Sequence, residues 1–252
     1  MKKKLKYIYT SLLGLIKTPT NNVHILNGHD FNSNKSIKNN IEDFRLLLSE
    51  LQKNNVLISF EKAKEMLNKG CRVNKPHIAF SFDDGFEDCF RIAIILEEYD
   101  ITGGFFICPE YIDGMRDDLP KIGYLYKFNK RFLKLDELEK MLDSGHTIGA
   151  HTYSHINLDD LSGSNEVYRE IIYSKEKIET VLKIRCEDFA VPYGQYTKGQ
   201  NNLMFKIQKK YKNIFLSDNR FKCNIYKKMF NRRQFDCDWN INQINYFLSQ
   251  YK

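Results

Sequence analysis

Two hydrophobic rhythms alternate along this chain. Short apolar runs bounded by turn residues, the mark of buried strands, are separated by stretches whose apolar positions recur at helical spacing. Residues 23–30 read as a first strand ending in polar positions, followed by a polar loop. Ile41, Phe44, Leu47, Leu48 and Leu51 predict a helix over 41–51; a brief strand at 56–60 and a helix over 61–69, stopped by Gly70, come next. Pro76 precedes a strand at 77–82, which leads into a helix over 87–99 and a strand over 102–108. Residues 109–134 show no period, and Gly114, Pro120 and Gly123 mark them as a long loop. The alternation resumes with a helix at 136–144 ended by Gly145, a strand at 147–150, a long amphipathic helix at 165–182 and a strand at 189–191. Helices at 203–211 and 241–248 and a strand at 214–217 complete it. Strand and helix alternate without repeats or linkers, which predicts one α/β domain over 21–252 with a mostly parallel sheet and helical crossovers. Periodicity alone does not separate a barrel from an open sheet.

The first twenty residues follow a different pattern. A basic start, Met1-Lys2-Lys3-Lys4-Leu5-Lys6, precedes about ten apolar residues (7–16) that include Tyr9, Thr10 and Ser11. No small-x-small cleavage site follows, and the stretch is far shorter than the roughly 20 residues a membrane span requires. Residues 1–20 are therefore expected to form an uncleaved amphipathic helix, lying on the protein or peripherally on the inner membrane face. Net charge is +7, mostly from lysines spread along the chain, and no nucleic-acid-binding motif accompanies it. Such a charge fits a solvated surface, or attraction to an anionic polymer or a membrane-bound, phosphate-linked glycan. The cysteines, at 71, 89, 108, 186, 223 and 237, form no CxxC pair; their even number permits disulfides but resembles no compact extracellular framework, and Cys89 and Cys108 read as ordinary buried thiols. A reducing compartment, the cytoplasm, is the expectation.

The candidate chemistry gathers at the end of the strand His77-Ile-Ala-Phe-Ser-Phe-Asp-Asp-Gly85. Asp83 and Asp84 sit where the strand ends, and adjacent carboxylates there repel unless a cation intervenes. In Gly145-His-Thr-Ile-Gly-Ala-His-Thr-Tyr-Ser-His155, the imidazoles of His151 and His155 are four positions apart, and one helical turn would put them on one side. Two His and one Asp make a three-ligand divalent metal site with an open position. Zinc is the default for that donor set, with cobalt or nickel as substitutes.

Ser81-Phe82-Asp83-Asp84-Gly85, then His151-Thr152-Tyr153-Ser154-His155, then Phe189-Ala190-Val191-Pro192-Tyr193-Gly194 resemble, in order, three motifs of the polysaccharide deacetylase family (carbohydrate esterase family 4, NodB homology). The similarity runs from about Asn27 to about Phe235. It implies a distorted (β/α) barrel of about seven strands. It further implies a metal held by Asp84, His151 and His155, Asp83 as the base that takes a proton from the attacking water, and the Tyr193 backbone N–H as an oxyanion donor. The bland alternative for Asp83 is a cap on a helix starting near Phe86.

Two departures stand out. The best-known form of the third motif has an Arg where this chain has Ala190, so no guanidinium from this motif can hold Asp83. Arg232 on a later strand is the candidate in its place, Arg233 looks equal to it, and a plain surface pair is the alternative. No His follows His155, although many members use a late His as the acid. In the branch with the Ala-containing motif the barrel order resembles a circular permutation, and a Tyr-His-Asp-like triplet on the first strand supplies the acid. Gly28-His29-Asp30 matches it except for Gly28, which makes His29 the expected acid. His24 and His77 read as packing residues and His146 as a loop residue. The loop aromatics Tyr111, Tyr124, Tyr126 and Phe128 either stack on sugar rings or seal the loop. The implied function is removal of N-acetyl groups from an amino sugar in a glycan. A silent glycan-binding module and an O-acetyl esterase are the alternatives, and the oligomeric state is left open.

Overall fold

The computed structural model describes residues 2–113, 115, 125, 130–195, 201–217 and 228–250. Strands β1 (Val23–Gly28), β2 (Val56–Leu57), β3 (His77–Phe82), β4 (Gly104–Ile107), β5 (Thr147–Ala150), β6 (Asp188–Ala190), β7 (Asn213–Leu216), β8 (Met229–Asn231) and β9 (Arg233–Gln234) form one sheet. Every strand pairing in it is parallel. Between them run α2 (Ile37–Gln52), α3 (Phe60–Lys69), α4 (Asp88–Glu97), α5 (Leu135–Asp143), α6 (Ser164–Val167), α7 (Ser174–Leu182) and α8 (Asn201–Lys210). A π-helical turn, Tyr168–Tyr173, joins α6 to α7. Helix α1 (Lys2–Gly14) opens the chain and packs on α9 (Ile241–Ser249).

The sheet order β8-β7-β6-β5-β4-β3-β1-β9 hides a closure. β8 and β9 are two halves of one stretch separated by Arg232. The first half pairs with β7 (Phe215 opposite Phe230), the second with β1 (Leu26 opposite Arg233). One split strand thus bridges the two ends of the sheet, giving a nearly closed barrel of β1, β3, β4, β5, β6, β7 and the 229–234 stretch, while β2 pairs only with the start of β3. Apolar periodicity does not mark the bounds of this later strand, because Asn231, Arg232 and Arg233 interrupt its apolar run.

Strand alternation sorts side chains to the two faces. Val23, Ile25, Ala79, Phe106, Ala190, Phe215 and Phe230 form an inner cluster, into which α3 sends Phe60. Aromatic rings plug the lumen: Phe60, Phe106 and Phe215 lie 5.2–5.9 Å apart, centroid to centroid. The outward faces of the strands pack under the helices, where fully buried Phe44 makes edge contacts with Phe80 and Phe82 at 6.0 and 6.2 Å.

His146 lies in the connection between α5 and β5, as expected, and is buried there: its Nδ1 accepts from the Gly103 N–H at 2.9 Å and its Nε2 lies 3.1 Å from Glu97. Tyr111 seals the loop, stacked on Phe132 at 4.9 Å and 2 % exposed; Tyr124, Tyr126 and Phe128 lie outside the described residues. Cys71, Cys89, Cys108, Cys186 and Cys237 are free thiols, and Cys223 lies outside the described residues.

Candidate active site

The alternation that points Ala79 into the lumen also turns Ser81 and Asp83 inward, and that of Val23 and Ile25 turns Asn27 inward. Phe230 and Arg232 share the same parity on the closing strand. The result is a polar floor above the aromatic plug. Arg232, fully buried, donates from Nη1 to Asp83 Oδ1 (2.7 Å) and from Nη2 to Asp83 Oδ2 (2.8 Å), a bidentate pair. Its Nη1 also reaches Asn27 Oδ1 (2.9 Å) and Ser81 Oγ (3.2 Å), and its guanidinium lies 5.0 Å from the Phe106 ring. Asn27 Nδ2 donates to Asp83 Oδ2 at 2.9 Å. Burial alone would raise the Asp83 pKa, but the Arg232 charge, with His151, the Arg232 hydrogen bonds and His29 behind it, holds the carboxyl well below the usual range. Arg233 has the opposite parity and acts electrostatically on His24. Asp83 caps no helix, since α4 begins five residues later at Asp88.

Asp84 takes a left-handed backbone (φ 76°), which swings its side chain away from Asp83 and toward the two histidines. Its Oδ1 lies 3.2 Å from His155 Nε2 and 3.5 Å from His151 Nε2. That oxygen is buried, yet among the described residues no donor is aligned to hydrogen-bond it. The donor atoms of Asp84, His151 and His155 all lie within 4.8 Å of one another. His151 Nδ1 pairs with the Ala190 carbonyl at 2.9 Å, which leaves Nε2 to face Asp84. Burial pushes the His151 pKa down to about 4, so the ring is neutral, as a metal ligand must be. An orphaned carboxylate oxygen beside two imidazole nitrogens fits a divalent cation of the zinc type.

The two histidines converge by a different route from the expected helical turn. Residues 151–155 form a non-helical turn in which Thr152 (φ 59°) and His155 (φ 61°) both adopt left-handed backbones, bringing the rings to 4.9 Å. Such conformations persist only where surroundings over-determine them, and here they do. Glu170, on the π-turn and 2 % exposed, accepts from the Tyr153 N–H (3.0 Å), the Ser154 N–H (2.9 Å) and the Ser154 hydroxyl (3.0 Å). The Glu110 N–H donates to the Tyr153 carbonyl at 3.1 Å, and the Tyr111 hydroxyl to the Ser154 carbonyl at 3.0 Å.

Tyr193 lies at φ 61° in the Pro192–Gly194 turn after β6, its ring 5.0 Å from that of His155. His29 follows β1, and the pairing of Gly28 with Phe82 sets it level with Asp83 on the neighbouring strand. Its charge lowers the pKa of both Asp83 and Asp84. Gly28 has a packing reason: a Cβ there would come within 2.9 Å of the Phe82 ring. All seven residues singled out from the sequence therefore lie at one end of the barrel. Asn27, Ser81 and Glu170 were missed; for the first two the signal was a small polar residue at an inward position of a buried strand.

A family model described as polysaccharide deacetylase matches residues 61–211. That span holds Asp83, Asp84, His151, His155 and Tyr193 but neither His29 nor Arg232. Among curated proteins, the chain is 26% identical over 129 residues to the peptidoglycan-N-acetylglucosamine deacetylase of Bacillus cereus, covering 50% of this chain and 40% of that protein. It is 21% identical to YxkH of Bacillus subtilis, covering 69% of this chain and 57% of that one. The chain thus spans about half the length of these relatives. Among solved structures, IcaB from Ammonifex degensii superposes with a TM-score of 0.69 at 16% identity, covering 92% of this chain and 98% of that one. The Streptococcus pyogenes deacetylase PplD in complex with acetate gives 0.67 at 17%, covering 93% and 100%. These two show a shared fold. With a family model matched over more than half its length, and the motif residues brought together by that fold, the chain belongs to the polysaccharide deacetylase family.

Proposed function

We propose that this chain removes N-acetyl groups from an amino sugar within a glycan and depends on a divalent metal, zinc by default, held by Asp84, His151 and His155. One observation carries the reading: two adjacent carboxylates with separate partners, Asp83 chelated by Arg232 and Asp84 turned to two histidines. A silent glycan-binding module has no use for the first of these. The Bacillus cereus relative is a deacetylase of N-acetylglucosamine units and PplD was solved with acetate, which supports the same chemistry here.

When bound, the ion supplies Lewis acidity, polarising the acetamide carbonyl and acidifying the attacking water. Asp83 takes the proton of that water. Its Oδ2 already accepts two hydrogen bonds and its Oδ1 one, so Oδ1 has the spare lone pair to receive it. Arg232 keeps Asp83 ionised and aimed. The Tyr193 N–H steadies the oxyanion, and His29 gives its proton to the departing amine. Acetate release from N-acetylhexosamine oligomers, compared with O-acetylated xylan, tests the reading. Release from the xylan alone would turn it into an O-acetyl esterase, and release from neither would favour a binding module.

A further inference from the structure

Helix α1 is fixed on its inner face and uncovered on its outer one. Thr10 is 4 % exposed, the Ser11 hydroxyl accepts from Asn240 Nδ2 at 2.8 Å, and Gly14 lies so close to the Asn242 carbonyl that a Cβ would collide with it. On the other side Ile8, Tyr9, Leu12, Leu15 and Ile16 are 49–81 % exposed. Their spacing makes one apolar stripe along the helix and the turn that follows it, larger than the scattered apolar residues of an ordinary surface. The charge carried by this segment has one sign: its sequence holds Lys2, Lys3, Lys4, Lys6 and Lys17, and no Asp or Glu occurs before Asp30. A second copy of this segment would set lysines against lysines, which disfavours a symmetric dimer through the stripe. An anionic bilayer offers both an apolar interior for the stripe and negative headgroups for the lysines. No described helix is long and apolar enough to cross a membrane, so contact would be in the plane of the surface.

We propose that α1 docks this protein on an anionic lipid bilayer. The docking has a consequence for substrate. Thr10, on the inner face of α1, lines a cavity of about 650 Å³ together with Asp30, Asn32 and Trp239. Asp30 and Asn32 lie in the loop after β1 and Trp239 in the loop after β9, at the same end of the barrel as Asp83. The membrane-facing helix is thus also a wall of a cleft at the barrel end that holds Asp83, which sets the bilayer beside the approach of a glycan. This consequence rests on the deacetylase reading; the docking does not.

The test is sedimentation of the full chain, with its native N-terminus confirmed by intact mass, with vesicles of phosphatidylcholine alone or mixed with phosphatidylglycerol. Binding should require phosphatidylglycerol and weaken with salt. Exchange of Lys2, Lys3, Lys4 and Lys6 for Gln should cut partitioning roughly a hundredfold or more, and Leu12→Glu with Ile16→Glu at least about tenfold. Neither variant should change acetate release from a soluble oligomer. Equal retention of all variants, binding to neither vesicle, loss of the first residues in the mature mass, or a dimer that the Leu12→Glu and Ile16→Glu variant converts to monomer would each overturn the docking. Vesicle binding without deacetylation of any glycan would leave it standing and remove the catalytic reading.

Discussion

Arg232 grips Asp83 with two parallel hydrogen bonds, 2.7 and 2.8 Å, from the point where the closing strand passes from β7 to β1. The residue that splits that strand is therefore also the one that sets the charge of the proposed base. Exchanging Arg232 for Met should leave a buried carboxylate without its cation and cost about 3–5 kcal/mol of stability. The sign of the pH effect follows from the pKa. In the native chain Asp83 is held below the usual carboxylate value, so its contribution is present at neutral pH and is lost only in strong acid. Without Arg232 burial dominates and the pKa rises, so the acidic limb of the activity profile should move to higher pH. An unmoved limb in Arg232→Met would show that the guanidinium does not govern Asp83.

Glu170 makes a separate prediction, through the turn between the two histidines. Glu170→Ala removes three hydrogen bonds from Tyr153 and Ser154 and should weaken metal affinity about 10–100-fold, the usual effect of losing a group that orients a ligand. Glu170→Gln, which keeps one acceptor oxygen, should recover part of it. The visible spectrum of the cobalt-substituted protein reports ligand geometry and should change in the alanine variant. Unchanged affinity and spectrum, with stability alone reduced, would make Glu170 only a packing residue.

Stability at mild acidity is expected to depend on His24. Burial lowers its pKa to about 4, with the Arg233 charge assisting against the hydrogen bond to the Thr20 carbonyl. The unfolded chain, with a normal imidazole, binds the proton more readily than the folded one between about pH 6.5 and 4. Stability should therefore fall as pH drops through that window, by on the order of 3 kcal/mol from this residue. Urea unfolding of His24→Gln should show a correspondingly shallower decline; an identical decline would place the proton uptake elsewhere.

His29 is the expected acid, level with Asp83 across the β1–β3 pairing. His29→Ala should lower amide turnover roughly 10²–10⁴-fold with metal content unchanged. An aryl acetate, whose leaving group needs no proton, should be largely spared. Equal loss on both substrates would remove His29 from that role.

Much of the fold was legible because buried strands and amphipathic helices write their periods plainly. β5 was predicted over residues 147–150 and is observed there, and Gly70 ends α3 in a left-handed cap. The faces of the closing strand were illegible because its inward Arg232 and outward Arg233 look alike until neighbours define them. Once Phe230 is known to point into the lumen, alternation selects Arg232. The histidine turn was misread for a related reason: a spacing of four fits one helical turn, but so does a loop with two left-handed residues. Only the contacts of Glu170, seventeen residues beyond Tyr153, make the second arrangement the stable one.

The most direct test of the central claim measures metal content and acetate release on the same samples, with an N-acetylhexosamine oligomer as substrate. Wild-type protein should carry about one divalent ion per chain, the capacity of a single three-ligand site, and release acetate. Asp83→Asn should keep the ion and lose roughly 10²–10⁴-fold in turnover, whereas His151→Ala and His155→Ala should lose both ion and activity. Full metal content in both histidine variants, or undiminished acetate release by Asp83→Asn, would contradict the assignment.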